Sequence, residues 1–268
     1  MKRKNISAIF KNKLTLTFVI LGVVILLFIL VPLLTMVFSS HPGELFDLLL
    51  HDKVVINAIW LTIYTALIST AVGLILGVPL AYVLARYDFP GKKIIEAVVD
   101  LPIVVPHTGA GIALLFVFGK NFFGGKVFNS LGIGFVDAVP GIVIAMMFVS
   151  IPFLVNAAKE GFKRIDPRLE KVARTLGATP RQTFFNITLP LAWRSILSGS
   201  LMMWARGVSE FGAVVIITYY PMIASTLVYQ RFETQGLDAA RNVAVLLILA
   251  CLIIFVALRY ISQRGEKA

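Results

Sequence analysis

The chain alternates long apolar blocks with short polar segments. A helix needs about 20 apolar residues to cross a hydrocarbon core of about 30 Å, and most of these blocks reach that length. The pattern predicts an all-α membrane protein in which a single transmembrane domain covers residues 1–268. The six predicted transmembrane spans are Leu14–Phe38, Ala58–Leu84, Ile94–Phe118, Pro140–Val155, Ser195–Thr218 and Val243–Ile261.

A polar island, Asp166–Pro190, interrupts this pattern between the fourth and fifth spans. It begins with Asp166 and Pro167, a typical helix start in which Asp caps the N-terminus and Pro occupies the first turn. Gly177 is placed to end that helix in a left-handed conformation. Apolar residues at helical spacing predict one stripe along it, formed by Leu169, Val172, Ala173 and Leu176.

The second half of the island predicts another short helix. Thr179 and Pro180 begin it, and Gln182, three residues after Thr179, predicts a capping box. Pro190 predicts a break or kink before the fifth span. From these residues alone, two interpretations are open. The island is either an amphipathic hairpin on anionic lipid headgroups or a helix that docks in a groove of a cytoplasmic protein.

Lysine and arginine are distributed unevenly between the two sides of this topology. Of the 25 basic residues, 19 fall on one side and five on the other, and Arg206 lies inside a span. Basic residues collect in the cytoplasmic loops of membrane proteins. We therefore expect a multi-pass protein of the cell membrane whose two termini and loop 156–194 are cytoplasmic. The net charge of +11 follows this topology, so it indicates contact with the lipid bilayer rather than with nucleic acid.

Two opposite charges fall within the fifth predicted span. Arg206 and Glu210 are four residues apart and therefore lie on one helix face. An isolated charge at the centre of a membrane costs about 2.5–3.5 kcal/mol on insertion scales, so a pair is expected. The pair is either a structural brace between helices or an element of a translocation path.

Nothing in the sequence supports catalysis or a metal site. A phosphate-binding G-x-x-x-x-G-K-[ST] motif is absent, and Cys251 is the one cysteine. The three histidines have no metal-ligand spacing, and His107 is expected to play an ordinary polar role. The chain is therefore predicted not to be an enzyme and to carry no cofactor of its own. If it transports a solute with ATP, the hydrolysis takes place on another chain.

The island resembles the cytoplasmic signature loop of ABC importer permeases, which reads E-A-A, three residues, G, about nine residues, then I-x-L-P. Here Lys171-Val172-Ala173 is followed by Gly177 and by Ile187–Pro190 in that spacing. Lys171 stands at the usual Glu position and Val172 at the first Ala; Glu170, one residue earlier, points about 100° away on a helix. The Gly and the I-x-L-P end match fully.

This resemblance implies the type I ABC importer permease fold, with a cytoplasmic coupling helix between spans 4 and 5. By resemblance, the helix would sit in a cleft of a separate cytoplasmic ATPase, present in two copies, which would bind ATP and Mg²⁺. The residues implied to contact it are Leu169, Glu170, Lys171, Val172, Ala173, Leu176, Gly177, Ala178, Thr179 and Pro180.

Three further segments resemble permeases for molybdate, tungstate and sulfate: Ala85–Gly119, Ser209–Val215 and Tyr219–Leu249, the last most similar to the archaeal molybdate/tungstate branch. The resemblance implies a homodimer that imports a tetrahedral oxyanion delivered by an extracytoplasmic binding protein. Molybdate or tungstate is favoured over sulfate. The alternatives are a secondary anion transporter or channel without an ATPase partner, and a membrane scaffold with no transport path.

Overall fold

The computed structural model describes the backbone of residues 13–264 and the side chains of residues 13–257. Within this range all regular elements are helices, and no β-strand is present. In chain order they are α1 (Lys13–Phe38), α2 (Pro42–His51), α3 (Lys53–Arg86), α4 (Lys92–Val104), α5 (His107–Phe118), α6 (Phe123–Ser130), α7 (Val139–Lys163), α8 (Pro167–Thr175), α9 (Pro180–Thr183), a π-helix (Phe184–Thr188), α10 (Leu189–Val208), α11 (Gly212–Ile217), α12 (Ala224–Gln235) and α13 (Leu237–Arg264).

The chain divides into two compact units, Met1–His51 and Asp52–Ala268. In the first unit, an 18-residue stretch of α1 has a mean hydropathy of 3.2, and no residue of α1 is buried. A helix that is apolar on all sides and exposed on all sides is stable only in lipid. This helix therefore has the character of a membrane span, as predicted for Leu14–Phe38.

The second unit is built on three helices that pack against one another: α3, α7 and α10. Small residues allow the close approach that membrane helices need in place of a hydrophobic driving force. At Gly199 in α10, an added Cβ would lie 2.7 Å from the Cβ of Ala157 in α7. The core contains two clusters along this bundle, one around Met146 and Trp204 and the other around Leu154 and Phe162.

Four described helices, α1, α3, α7 and α13, are long and apolar enough to cross a membrane. The third predicted span, Ile94–Phe118, is not one straight helix: it is divided into α4 and α5, which are bent by 116°. Pro106 explains the break, because proline has no N–H to donate and disfavours the helical conformation of the residue before it. Val105 is accordingly extended, with ψ at 130°.

The fifth predicted span, Ser195–Thr218, is likewise divided, into α10 and α11, with the break at residues 209–211. The fourth predicted span, Pro140–Val155, was too short, because α7 continues to Lys163. The prediction of a loop over 156–194 was therefore too long. The segment between α7 and α10 is 164–188, and we call it the interspan loop.

Candidate functional site

The first helix of the interspan loop is held by the predicted caps. Asp166 accepts a hydrogen bond from the backbone N–H of Arg168 at 2.9 Å. At the other end Gly177 has a φ of +92°, and the N–H of Ala178 donates to the carbonyl of Ala173 at 3.0 Å. These bonds satisfy backbone groups that a helix end leaves free, so α8 has defined ends despite its nine residues.

The second helix also begins as predicted. The N–H of Gln182 donates to the Thr179 hydroxyl at 3.3 Å, and the N–H of Thr179 donates to the Gln182 side chain at 2.8 Å, which completes the capping box. Pro190 was predicted to mark a break or a kink, and no break is present. The chain passes through the π-helix into α10 without interruption, and Pro190 lies in the first turn of α10. The interspan loop is therefore joined to α10 by continuous helix.

The predicted apolar stripe of α8 is mostly uncovered. Leu169, Val172 and Leu176 are exposed, Leu176 at 83%, and only Ala173 of the four stripe residues is buried. Of the other residues implied to contact an ATPase, Ala178 is half-buried and the following are exposed: Lys171, Gly177, Thr179 and Pro180. We call the side chains of Leu169, Val172 and Leu176 the apolar face of α8.

Glu170 does not belong to that exposed surface, which corrects the expectation that it contacts a partner. It is only 7% exposed. Its Oε1 accepts hydrogen bonds from Arg86 Nε at 2.8 Å and from the Thr188 hydroxyl at 3.0 Å, and its Oε2 accepts one from the Tyr82 hydroxyl at 3.2 Å. Arg86 also donates to the Ile165 carbonyl at 3.1 Å. The sequence offered one sign of this burial: Glu170 is three residues before Ala173, so the two lie on the same face of α8.

Aromatic rings surround this carboxylate. The ring of Tyr82 lies 5.4 Å from that of Phe162 and 5.0 Å from that of Phe184, with both pairs edge to face. Such pairs favour one relative orientation of the helices that carry them. The end of α3, the end of α7 and the π-helix therefore meet in one packed cluster beside Glu170.

The second group of charges lies where the two broken spans meet. Arg206 Nη2 is 2.9 Å from Glu210 Oε2, so the predicted ion pair is formed. Glu210 is 1% exposed, and its Oε1 accepts the backbone N–H of Ala213 at 2.8 Å. Since α10 ends at Val208, the pair spans the break rather than the middle of a helix. Glu210 thus neutralises the charge of Arg206 and also accepts a backbone N–H that the start of α11 would otherwise leave without a partner.

His107, at the start of α5, is the third member of this group. The sequence did not indicate that His107 lies beside the ion pair. Arg206 Nη2 donates to His107 Nε2 at 2.8 Å, and His107 Nδ1 is 3.6 Å from Glu210 Oε2. The same guanidinium nitrogen is 3.3 Å from His107 Nδ1, so Arg206 lies against the nitrogen-bearing edge of the imidazole ring. An added Cβ at Gly212 would lie 2.8 Å from the Cβ of His107, so the two helix breaks are in contact.

The group lies deep along the bundle. Gly207, next to Arg206, faces the middle of two long helices, because an added Cβ there would be 3.7 Å from the Cβ atoms of both Ala66 and Met146. The Arg206 side chain is nevertheless 23% exposed and that of His107 is 45% exposed. Charged groups at this depth are found facing water or another protein surface, rather than lipid.

The described residues contain no group of three or more His, Cys, Asp or Glu side chains that could hold a metal ion.

The family of binding-protein-dependent transport system inner membrane components matches residues 73–266, a range that contains the interspan loop and both helix breaks. The chain belongs to this family. It is therefore a membrane component of a transport system.

Relatives of this transport component cover nearly its whole length. The molybdate/tungstate transport system permease protein WtpB of Pyrococcus furiosus is 42% identical over 260 residues, which are 96% of this chain and 99% of that protein. A sulfate transport system permease protein, CysT, of Synechocystis sp. is 30% identical and covers 96% of this chain and 92% of its own.

The same fold occurs in a solved structure. A bacterial ABC transporter for the import of the acidic polysaccharide alginate contains a chain that matches with a TM-score of 0.75, covering 96% of this chain and 98% of its own. Identity with that chain is 18%, so the likeness concerns the fold. The transport component has the type I ABC importer permease fold, as predicted from the signature loop.

Proposed function

We propose that this chain is the permease subunit of an ATP-driven importer for a tetrahedral oxyanion, with molybdate and tungstate favoured over sulfate. The observation that carries the ATP-driven part is the apolar face of α8. It is exposed on a loop whose helices are capped at defined positions and joined to α10 without a break. The choice of anion is supported by the higher identity to a molybdate/tungstate permease, 42%, than to a sulfate permease, 30%.

The apolar face would dock in a cleft of a cytoplasmic ATPase subunit, present in two copies, that binds ATP and Mg²⁺. A short amphipathic helix that presents apolar residues at i, i+3 and i+7 suits such a groove. Exposed basic residues beside it, Arg168, Lys171 and Arg174, would form the rim of the contact. This assignment places the interspan loop and both termini in the cytoplasm, in agreement with the distribution of basic residues.

A homodimer would enclose the solute path. Arg206 and His107 are partly exposed at a depth where exposure to lipid is costly. A second copy that faces them across a water-filled path removes this cost. The ion pair with Glu210 keeps Arg206 from acting as a permanent anion site, which agrees with a path that must release its solute. Selectivity would then reside mostly in the extracytoplasmic binding protein that delivers the oxyanion.

The experiment that tests the substrate uses the chain reconstituted in liposomes with its ATPase and binding protein. ATP hydrolysis would be measured with the binding protein loaded in turn with molybdate, tungstate and sulfate. We expect stimulation by molybdate and tungstate at lower anion concentration than by sulfate. Stimulation by sulfate alone would overturn the choice of anion but keep the ABC importer. Absence of stimulation by all three would contradict an oxyanion importer.

A further inference from the structure

Glu170 joins four segments at one buried point. Its carboxylate binds the end of α3 through Tyr82 and Arg86, and binds the π-helix through Thr188. Arg86 in turn donates to the carbonyl of Ile165, between α7 and α8. We call these five residues the buried joint. A buried carboxylate is tolerated only when it is paired and hydrogen-bonded, and here a cation and two hydroxyls satisfy it.

The buried joint is the main side-chain attachment of α8 to the rest of the chain. Only two residues of α8 are buried, Glu170 and Ala173, and Ala173 contributes a single methyl group. Apolar packing therefore does little to hold α8 in place. Its remaining attachments are the backbone at Asp166 and at Gly177, where the chain turns. A force applied to the apolar face of α8 must pass through these turns or through the Glu170 side chain.

Both helices that the buried joint reaches continue to the depth of the helix breaks. The helix α3 carries Arg86 at its end and Ala66 at the level of Gly207. The helix α10 begins directly after Thr188 and carries Arg206 in its last turn. Two packed helices, α3 and α10, therefore connect the buried joint with the level of the Arg206–Glu210 pair.

We propose that Glu170 is a positioning residue that makes α8 move as one body with α3 and α10, and so converts movement of α8 into movement of the bundle. This inference rests on the proposed function, in which an ATPase moves α8. It assigns different tasks to neighbouring residues. The apolar face of α8 binds the ATPase, whereas Glu170 contacts no partner and transmits the displacement.

The test uses the reconstituted complex with ATPase and binding protein and measures two quantities, the ATPase retained on purification and the ATP hydrolysed per anion imported. Glu170→Gln removes the charge opposite Arg86. We expect unchanged ATPase retention and a rise of at least about tenfold in ATP hydrolysed per anion, because breaking a buried pair is costly. Arg86→Gln is expected to do the same. In the double variant the two neutral side chains face each other. Its ratio of ATP hydrolysed per anion is expected to rise less than the effects of the two single changes combined.

The matched control is Glu160→Gln. Glu160 pairs with Lys163 at 3.1 Å in the last turn of α7, close in sequence to the interspan loop. Both side chains are exposed, and surface ion pairs contribute little to stability. It is expected to leave both quantities at the wild-type value. If Glu170→Gln does not fold, Tyr82→Phe and Thr188→Val each remove one hydroxyl from the carboxylate and are expected to raise the ratio to a smaller extent.

The outcomes separate this inference from the proposed function. If the wild-type complex shows no ATP-dependent import, the proposed function fails. Suppose instead that the wild type imports normally. If Glu170→Gln, or both Tyr82→Phe and Thr188→Val, then hydrolyse as much ATP per anion as the wild type, only the role of Glu170 fails. Loss of ATPase retention in Glu170→Gln would also overturn it, because Glu170 would then be part of the ATPase contact.

Discussion

The carboxylate of Glu210 lies 2.9 Å from the guanidinium of Arg206, and its other oxygen accepts the backbone N–H of Ala213 at 2.8 Å. One buried side chain therefore neutralises a charge at mid-bundle and caps the helix that follows the break. Glu210→Ala leaves Arg206 without its carboxylate; such a loss costs about 3–5 kcal/mol for a fully buried charge and is expected to cost less here, because the Arg206 side chain is 23% exposed. Glu210→Gln keeps an acceptor for Ala213 and is expected to cost less.

The free energy of unfolding in detergent micelles would measure both changes. Glu233→Ala serves as the control, because Glu233 is an exposed residue of α12. We expect it to shift the unfolding free energy by at most about 0.5 kcal/mol. Equal stability of Glu210→Ala and Glu233→Ala would refute the structural role of the pair.

Leu176 tests the docking surface. It is 83% exposed, so Leu176→Asp should change the unfolding free energy little. Since a truncated anchor residue at an interface costs more than about 1 kcal/mol, we expect affinity for the ATPase to fall about fivefold or more. Leu50→Asp is the matched control: Leu50 is similarly exposed, in α2, which is predicted to be extracytoplasmic. Equal affinities of the two variants would exclude the apolar face of α8 as the docking site.

Gly177 tests the end of α8. Its φ of +92° disfavours residues with a Cβ, although an added Cβ would meet nothing within 4 Å. Gly177→Ala is therefore expected to destabilise through backbone strain alone, by about 1–2 kcal/mol. Gly43→Ala in α2 is the control, because Gly43 has equal space and no positive φ. That change should stabilise by less than the roughly 0.5–1 kcal/mol that Ala gains over Gly in the middle of a helix, because Gly43 lies in the first turn of α2. Thermal unfolding of the two variants would show opposite shifts; a shift of the same sign in both would contradict the strain at Gly177.

The sequence predicted those parts of the sites that depend on neighbouring residues. The Asp166 cap and the Thr179–Gln182 box join residues two or three apart at a helix start, which is the usual capping geometry. Arg206 and Glu210 are four residues apart and stay close in space although α10 ends between them. Residues that meet through tertiary packing could not be paired this way. Arg86 and Glu170 are 84 positions apart, and His107 and Arg206 are 99 apart.

The broken spans show a second limit. Apolar content predicted that Ile94–Phe118 and Ser195–Thr218 lie within the membrane, but hydrophobicity does not require a single straight helix. Pro106 accounts for the first break. The second break lies at residues 209–211, where the buried carboxylate of Glu210 accepts the backbone N–H of Ala213 at the start of α11. The burial of Glu170 was missed for a related reason, because a charged residue on a polar island is ordinarily expected to face water.

The most direct test of an ATP-driven importer is uptake of labelled molybdate into liposomes that contain this chain and the binding protein, with and without the ATPase subunit. An importer of this class predicts uptake against a gradient only when the ATPase and hydrolysable ATP are both present. Equal uptake without the ATPase would instead indicate a secondary transporter or channel. That result would contradict the assignment of the apolar face of α8 as the site where ATP hydrolysis drives this chain.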